Sequence, residues 1–157
     1  MLLWTLALLG CSGTPLVDVG DGRQLYINCE GQGSPTVVME AGGAGHSGSW
    51  DSVQPEVAEF TRVCVYDRSG TGNSSATPKL GTIQAIAEEL HTLLPSAGVD
   101  PPYVLVGHSL GGMIVLQFAT VYPGETIGMV MVDTSAVDPR DRLQAELTPE
   151  EWRQYGA

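Results

Sequence analysis

The chain contains 157 residues, of which 43% are hydrophobic, and it carries a formal net charge of −11 at pH 7. A chain of this length buries enough surface for one hydrophobic core, which excludes a disulfide-stapled miniprotein and a mostly disordered chain. Its 7 basic residues against 18 acidic ones exclude a nucleic acid partner, because no basic patch is available to displace the counterions of a phosphate backbone.

The N-terminus reads as an export signal. Residues 2–9 are L-L-W-T-L-A-L-L and are followed by Gly10 and Cys11, although no Lys or Arg precedes the run. The run is too short to span a bilayer but has the length of a secretory signal core. The L-L-G-C ending is similar to the lipobox of bacterial lipoproteins, in which Cys11 would carry the lipid anchor. We expect residues 1–11 to be a signal or lipoprotein leader of a periplasmic, outer-membrane or secreted protein. A leader removed without lipidation, or a strand of the fold, is the alternative.

Strand-like and helix-like segments alternate along the rest of the chain. We predict strands over 25–28, 36–40, 63–66, 103–106 and 128–132, and helices over 52–60, 83–94 and 113–119, with Ser52 and Thr82 as caps. Apolar strands that alternate with helices indicate a parallel sheet covered on both faces. Active groups in such a sheet lie at the carboxyl ends of the strands.

Two cysteines remain once Cys11 is set aside. We expect Cys29 and Cys64 to form a disulfide in an oxidising compartment. Two buried free thiols that act as small apolar residues are the alternative.

A nucleophile motif follows the predicted strand 103–106. Residues 107–111 read G-H-S-L-G and open a helix, so that a sharp turn would expose the hydroxyl of Ser109 above the sheet. The N–H of Leu110 would lie at the helix N-terminus and face a developing oxyanion. A second donor is expected from the A-G-G-A-G run at 41–45, with Gly43 preferred and Ala44 next. A plain turn is the alternative for this run.

Four elements in order resemble the N-terminal half of the α/β-hydrolase fold superfamily. They are E-A-G-G after a strand, D-R-S-G-T-G-N-S at 67–74, V-L-V-G-H-S-L-G-G, and M-V-M-V-D. The resemblance implies an α/β fold with a mostly parallel, doubly wound sheet of the α/β-hydrolase type, its C-terminal strands missing. On this basis residues 20–140 are the N-terminal part of the domain. Residues 141–157 are the start of a truncated lid or cap segment.

The resemblance also assigns roles to residues. It implies Ser109 as the nucleophile, and Gly43 and Leu110 as the oxyanion hole through their backbone N–H groups. The turn residues of the D-R-S-G-T-G element match a structural turn of the family rather than its chemistry. These are Asp67, Arg68, Gly70 and Gly72.

The base is not found where the resemblance places it. The family order is Ser, acid, His, whereas His46, His91 and His108 all precede Ser109. We interpret His108 as a packing residue and His91 as part of a solvated helix face. His46 is a pocket or surface residue, with a substitute base as the alternative.

The acid is also open. Asp133 ends the last predicted strand and is a candidate, and Asp138 is a further one. The resemblance places the acid of some family members after this strand, but of most members one strand later, in a region absent here. The alternative for Asp133 is then a strand-end residue that holds the following turn.

We therefore expect a serine hydrolase that cleaves an ester, or less readily an amide or lactone, through an acyl-enzyme on Ser109. The partner would be a small-molecule acyl substrate, and the chemistry needs no metal and no organic cofactor. Without a His after Ser109, the 157-residue chain is expected to be a truncated front part with little or no turnover. An acyltransferase and a non-catalytic protein that binds a ligand or partner are the alternatives.

Overall fold

A computed structural model describes residues 15–76 and 81–134. The strands are β1 (Leu16–Asp18), β2 (Gln24–Glu30), β3 (Thr36–Glu40), β4 (Val63–Tyr66), β5 (Tyr103–His108) and β6 (Thr126–Val132). The helices are α1 (Gln54–Ala58), α2 (Ile83–Ser96) and α3 (Leu110–Val121), and a 3₁₀ helix (Ser47–Trp50) precedes α1. The leader 1–11 with Cys11, the candidate Asp138 and the segment 141–157 lie outside the described residues.

The described strands form one sheet in the order β1-β2-β4-β3-β5-β6. The pairs β3–β4, β3–β5 and β5–β6 are parallel, whereas β2 is antiparallel to both of its neighbours. The connection from β3 leads to β4 on one side, and the connection from β5 leads to β6 on the other. The winding therefore reverses between β3 and β5, the point at which open α/β sheets bind ligands. The predicted mostly parallel α/β sheet is confirmed.

Helices cover both faces of this sheet. Helices α2 and α3 pack on one face, where Leu90 and Phe118 are fully buried, and Val57 of α1 packs with Trp50 on the other. Thr82 caps α2 as predicted, because its side chain accepts a hydrogen bond of 3.1 Å from the N–H of Ala85. None of the helices in the described ranges is long and apolar enough to cross a membrane.

Helix α1 differs from the predicted helix over 52–60. It begins at Gln54, and Ser52 does not cap it; the N-cap residue is Val53, which makes no side-chain capping bond. Pro55 lies in the first turn, where a residue without an N–H is tolerated. The N–H of Val53 bonds to the Trp50 carbonyl at 2.8 Å. Ser52 therefore lies in a turn that continues from the 3₁₀ helix.

Strand β6 is exposed, although its apolar sequence predicts a buried strand. Val130 is 50% exposed and Met129 is 42% exposed. Among the described strands, β6 pairs only with β5, so its other edge has no partner there. The apolar residues of β6 correctly predicted a strand, but they do not determine whether other elements pack on it and bury it.

A disulfide joins β2 to β4 between Cys29 and Cys64. The two residues face each other in the antiparallel register, with their Cα atoms 4.1 Å apart. The N–H of Asp67 donates to the carbonyl of Tyr26 at 3.0 Å, which makes Cys29 and Cys64 a non-hydrogen-bonded pair. Such pairs have the closest Cα atoms of an antiparallel ladder, about 4.5 Å.

Candidate active site

Ser109 lies at the turn between β5 and α3 in a left-handed backbone conformation. Its φ is 50° and its ψ is −118°, and its hydroxyl makes no capping bond to α3. A positive φ is strained for a residue with a Cβ and is found preferentially at functional sites. The hydroxyl is therefore not consumed by the helix cap that its position would otherwise favour.

Glycines allow the strand and the helix to approach closely at this turn. A Cβ on Gly107 would lie 2.6 Å from the carbonyl oxygen of Gly111 and 2.6 Å from the Cα of Gly112. A Cβ on Gly111 would lie 2.7 Å from the carbonyl oxygen of Ala41. The turn therefore packs directly against the end of β3, and no larger residue fits at these positions without a shift of main chain.

The residues after β3 form the second wall of the site; we call residues 41–45 the glycine loop. Glu40 pairs with Gly107 in the parallel register, so the two strand ends lie side by side. A Cβ on Gly42 would lie 3.6 Å from the Cβ of Ser109, and one on Gly43 would lie 3.7 Å from Cδ2 of Leu110. The glycine loop therefore runs beside the serine and the first residue of α3.

The two main-chain donors that the sequence assigns to the oxyanion hole are in this region. Within residues 15–76 and 81–134, no acceptor binds the N–H of Gly43 or of Leu110. Leu110 is the first residue of α3, where the N–H groups have no partner inside the helix.

Arg68 is a buried component of the site whose role the sequence did not reveal. Its guanidinium donates to the carbonyl oxygens of four residues of the glycine loop: Ala41 at 2.7 Å, Gly42 at 2.6 Å, and Gly43 and Gly45 at 3.1 Å each. The available signal was a glutamate at the end of an otherwise apolar strand, T-V-V-M-E, and an arginine just after the next strand. Two such buried charges would have to be paired.

The partner of Arg68 is Glu40. The Glu40 side chain is 1% exposed and that of Arg68 is 7% exposed. One carboxylate oxygen of Glu40 accepts from Arg68 and the other accepts from the Tyr66 hydroxyl. Burial raises the pKa of Glu40 to about 7, against the opposing effects of the Arg68 charge and the Tyr66 hydrogen bond. Burial beside this carboxylate also raises the pKa of Tyr66 well above its ordinary value.

Asp67 binds the segment that follows the glycine loop. It is fully buried, and its carboxylate accepts hydrogen bonds of 2.7 Å from the N–H of Ser47 and of 2.7 Å from the N–H of Asn73. Gly72, at φ +50°, packs on this carboxylate with no space for a side chain. The D-R-S-G-T-G element is thus a turn, but Arg68 binds the glycine loop beside Ser109 and Asp67 binds Ser47 after that loop.

Neither His108 nor His46 is hydrogen-bonded to Ser109 in the described structure. The His108 ring packs on the glycine loop, with its Nδ1 3.0 Å from where a Cβ on Gly42 would lie. His46 caps the 3₁₀ helix by accepting a hydrogen bond of 3.2 Å from the N–H of Gly48.

His91 does not lie on a solvated helix face. Its ring stacks on that of Tyr122 with centroids 3.7 Å apart, and its Nε2 lies 3.0 Å from Oε1 of Glu125. Helical spacing placed it beside Leu90, but the packing of α2 on α3 half-buries it.

Asp133 is exposed and directly follows β6, with φ 46°. The residue before it, Val132, accepts a hydrogen bond of 3.0 Å from the N–H of Ser109. Among the described residues its carboxylate holds no turn by a hydrogen bond. Thr134 provides the contact expected of a strand-end residue, through a 3.2 Å bond to the carbonyl of Gly107.

A cavity of about 500 Å³ opens beside the site. Gly43, Leu110 and Arg68 line it, together with Ile86 and Glu89 of α2. Its volume is in the range of small-molecule sites. In the described ranges no group of three or more His, Cys, Asp or Glu side chains is arranged to hold a metal ion.

Comparisons with known proteins agree with this architecture. The family model described as "alpha/beta hydrolase fold" matches residues 35–156. The "Putative carbamate hydrolase RutD" of Cronobacter turicensis is 36% identical over 127 residues, which cover 74% of this chain and 47% of that protein. Est816, described as an N-acyl homoserine lactone degrading enzyme, has a TM-score of 0.71 at 27% identity, covering 87% of this chain and 49% of Est816. A thermophilic esterase from Thermogutta terrifontis has a TM-score of 0.68 at 27% identity, covering 79% of this chain and 48% of the esterase. The chain thus spans less than half the length of each of these relatives.

Proposed function

The chain belongs to the alpha/beta hydrolase fold family, and we propose that its chemistry is the hydrolysis of an ester through an acyl-enzyme on Ser109. The observation that carries the proposal is the position of Ser109. Its strained backbone lies between β5 and α3, beside the glycine loop and the N–H of Leu110, which binds no acceptor among the described residues. A serine held in this way is the nucleophile elbow of the family.

In the proposed reaction the Ser109 oxygen attacks the carbonyl carbon of the ester, and the carbonyl electron pair moves onto oxygen. The N–H groups of Leu110 and Gly43 donate to this oxyanion. Their hydrogen bonds stabilise it more than those of water do, because the two donors are already oriented toward it. A base takes the proton of Ser109 and delivers it to the departing alcohol. Water then cleaves the acyl-enzyme in the same two stages.

A small acyl compound is the proposed substrate. The described relatives are a carbamate hydrolase, a lactone-degrading enzyme and an esterase by name, and each of these reactions breaks a bond at an activated carbonyl. The cavity beside Gly43 and Leu110 suits a small molecule. An ester is preferred over an amide or lactone.

We propose that the general base is a residue other than the three histidines of this sequence. None of them follows Ser109, and neither His46 nor His108 bonds to it in the described structure. We expect the 157-residue chain alone to turn over esters very slowly, because proton transfer in a triad contributes orders of magnitude. Reading the gene past codon 157 tests this: a frame that stops there, in a chain with full esterase activity, would contradict it.

Labelling with a fluorophosphonate probe tests the nucleophile. We use the product of the complete reading frame that contains these residues, called the whole protein below. We expect the whole protein to be labelled on Ser109 and S109A to be unlabelled, whereas S96A, which changes an exposed serine at the end of α2, keeps the label. A folded whole protein that takes no label would contradict an activated serine.

A non-catalytic protein that binds a ligand or partner is the second candidate, since neither His46 nor His108 is hydrogen-bonded to Ser109 among the described residues. It is the conclusion if the folded whole protein is not labelled. An acyltransferase is distinguished from a hydrolase by adding an alcohol acceptor: transfer that exceeds hydrolysis favours the transferase.

Export is proposed as well. A disulfide between Cys29 and Cys64 is typical of oxidising compartments, and the lipobox-like L-L-G-C would supply the anchor at Cys11. Alkaline phosphatase fused after residue 30 should be active, since this reporter folds only outside the cytoplasm. The fusion should incorporate radioactive palmitate, and C11S should not. An active fusion that carries no lipid even with Cys11 present would favour a leader that is only cleaved.

A further inference from the structure

Arg68 binds the glycine loop from the side of the sheet. Its Nη2 donates to the carbonyls of Gly42, Gly43 and Gly45, and its Nη1 donates to that of Ala41. Guanidinium is suited to this task because it presents several N–H donors in one rigid plane. The carbonyl oxygens of four of the five residues of the glycine loop are thus directed toward one buried cation.

The direction of a carbonyl also sets the direction of the next N–H. A trans peptide unit is planar, and its C=O and N–H point to opposite sides. The carbonyl of Gly42 and the N–H of Gly43 belong to the same unit. The 2.6 Å hydrogen bond from Arg68 to the Gly42 carbonyl therefore turns the Gly43 N–H away from Arg68, and a hydrogen-bonded carbonyl also makes the N–H of its unit a stronger donor.

Neighbouring residues hold Arg68 in place. Glu40, on the last position of β3, pairs with it and is itself bonded to the Tyr66 hydroxyl at the end of β4. Asp67 binds the N–H of Ser47, two residues after the glycine loop. Arg68 thus binds the glycine loop itself, and Asp67 binds the segment that follows it, both from the carboxyl end of β4.

We propose that Arg68 is a positioning residue of the reaction: it orients the Gly43 N–H as the second oxyanion donor, with Glu40 and Tyr66 as its support. The inference rests on the proposed function, since it assigns Arg68 a part in stabilising the oxyanion that forms when Ser109 attacks the ester. In this role Arg68 acts through the Gly42–Gly43 peptide unit and not on the substrate oxygen.

The variants R68K and R68M in the whole protein test it, with R62M as the matched control. In the described part of the chain, the Arg62 side chain makes one hydrogen bond, to the carbonyl of Gly98. Hydrolysis of p-nitrophenyl acetate is measured per active site titrated with the fluorophosphonate. We expect kcat to fall by about 10- to 100-fold in both Arg68 variants, since loss of one oxyanion donor costs about 100-fold or more, with KM changed by less than about twofold. R62M should keep both constants.

A merely structural role is separated by two readouts. The first is the rate per titrated active site, which excludes the contribution of misfolded protein. The second is the affinity for a boronic acid, which forms a tetrahedral anion on the serine and should weaken by the same factor as kcat. Y66F provides a milder change if the Arg68 variants do not fold, with an expected fall of a few-fold. Unchanged kcat per titrated site in R68K, or in Y66F when R68K is unfolded, would overturn the inference.

Hydrogen exchange makes the test independent of activity. The N–H of Gly45 bonds to the Gly42 carbonyl at 3.0 Å, so its exchange rate reports the order of the loop. We expect at least tenfold faster exchange in R68K than in R62K. Equal exchange rates would overturn the positioning role even if the whole protein hydrolyses no ester, whereas an unlabelled protein with a loosened loop would overturn the proposed function alone.

Discussion

The main-chain N–H of Ser109 donates a hydrogen bond of 3.0 Å to the carbonyl oxygen of Val132. This bond joins the turn after β5 to the last residue of β6. Because Asp133 directly follows Val132, it lies at the carboxyl ends of the parallel strands, as Ser109 does. The end of β6 is therefore coupled to the position of the candidate nucleophile.

Asp133→Asn tests the candidate acid in the whole protein. If Asp133 orients the base, kcat should fall by about 10⁴-fold, because an amide in place of the triad carboxylate stabilises the wrong imidazole tautomer. D138N is the matched comparison, since Asp138 was the other candidate. Full activity in D133N would exclude Asp133 as the acid.

Gly107→Ala should destabilise the chain. Its Cβ would lie 2.6 Å from main-chain atoms of Gly111 and Gly112, and such overpacking costs about 1–3 kcal/mol. Gly124→Ala is the control, because nothing lies within 4 Å of its Cβ, and we expect a change within about 0.5 kcal/mol. Urea unfolding measures both, and equal midpoints would contradict the close approach of β5 and α3.

The cysteine pair is tested by counting thiols. A C11S variant that is denatured without reductant should show no free thiol, and two after reduction, because Cys29 and Cys64 are bonded to each other. Replacing both by alanine should lower the free energy of unfolding by about 3–4 kcal/mol, the chain-entropy value for a separation of 35 residues. Two thiols before reduction would contradict the bridge.

Glu40 should make stability depend on pH. Its pKa is raised to about 7 in the folded chain, chiefly by burial, so between its ordinary value and 7 the folded state binds more protons than the unfolded state. The free energy of unfolding should therefore fall as pH rises through this range, by about 3 kcal/mol for a shift of this size.

The variant E40Q isolates this effect, since its neutral amide does not titrate. We expect wild type to lose stability relative to E40Q as the pH is raised from 4.5 to 7.5, measured by urea unfolding at each pH. A constant difference, or a relative gain for wild type, would contradict the raised pKa of Glu40.

Local patterns were sufficient for most elements of the fold. Thr82 starts α2, and the apolar runs of β3, β4 and β5 appear where they were predicted, because capping and strand formation depend on neighbouring residues. Ser52 failed as a cap, since the 3₁₀ helix before it displaced the start of α1. The apolar residues of β6 indicated a strand, but burial depends on which elements lie beside it.

The amino-acid sequence by itself determined the order of five strands and three helices but missed β1. It also placed Ser109 at a strand-to-helix turn, because these features are encoded by periodicity and by glycine at fixed spacing. Only the tertiary structure decided that Arg68 binds four carbonyls of a loop that lies more than twenty residues earlier in the chain. Arg68 follows β4, whereas its partners are the last residue of β3 and the loop after it. Residues distant in sequence meet here because the parallel register of β3 and β4 sets the two strand ends side by side.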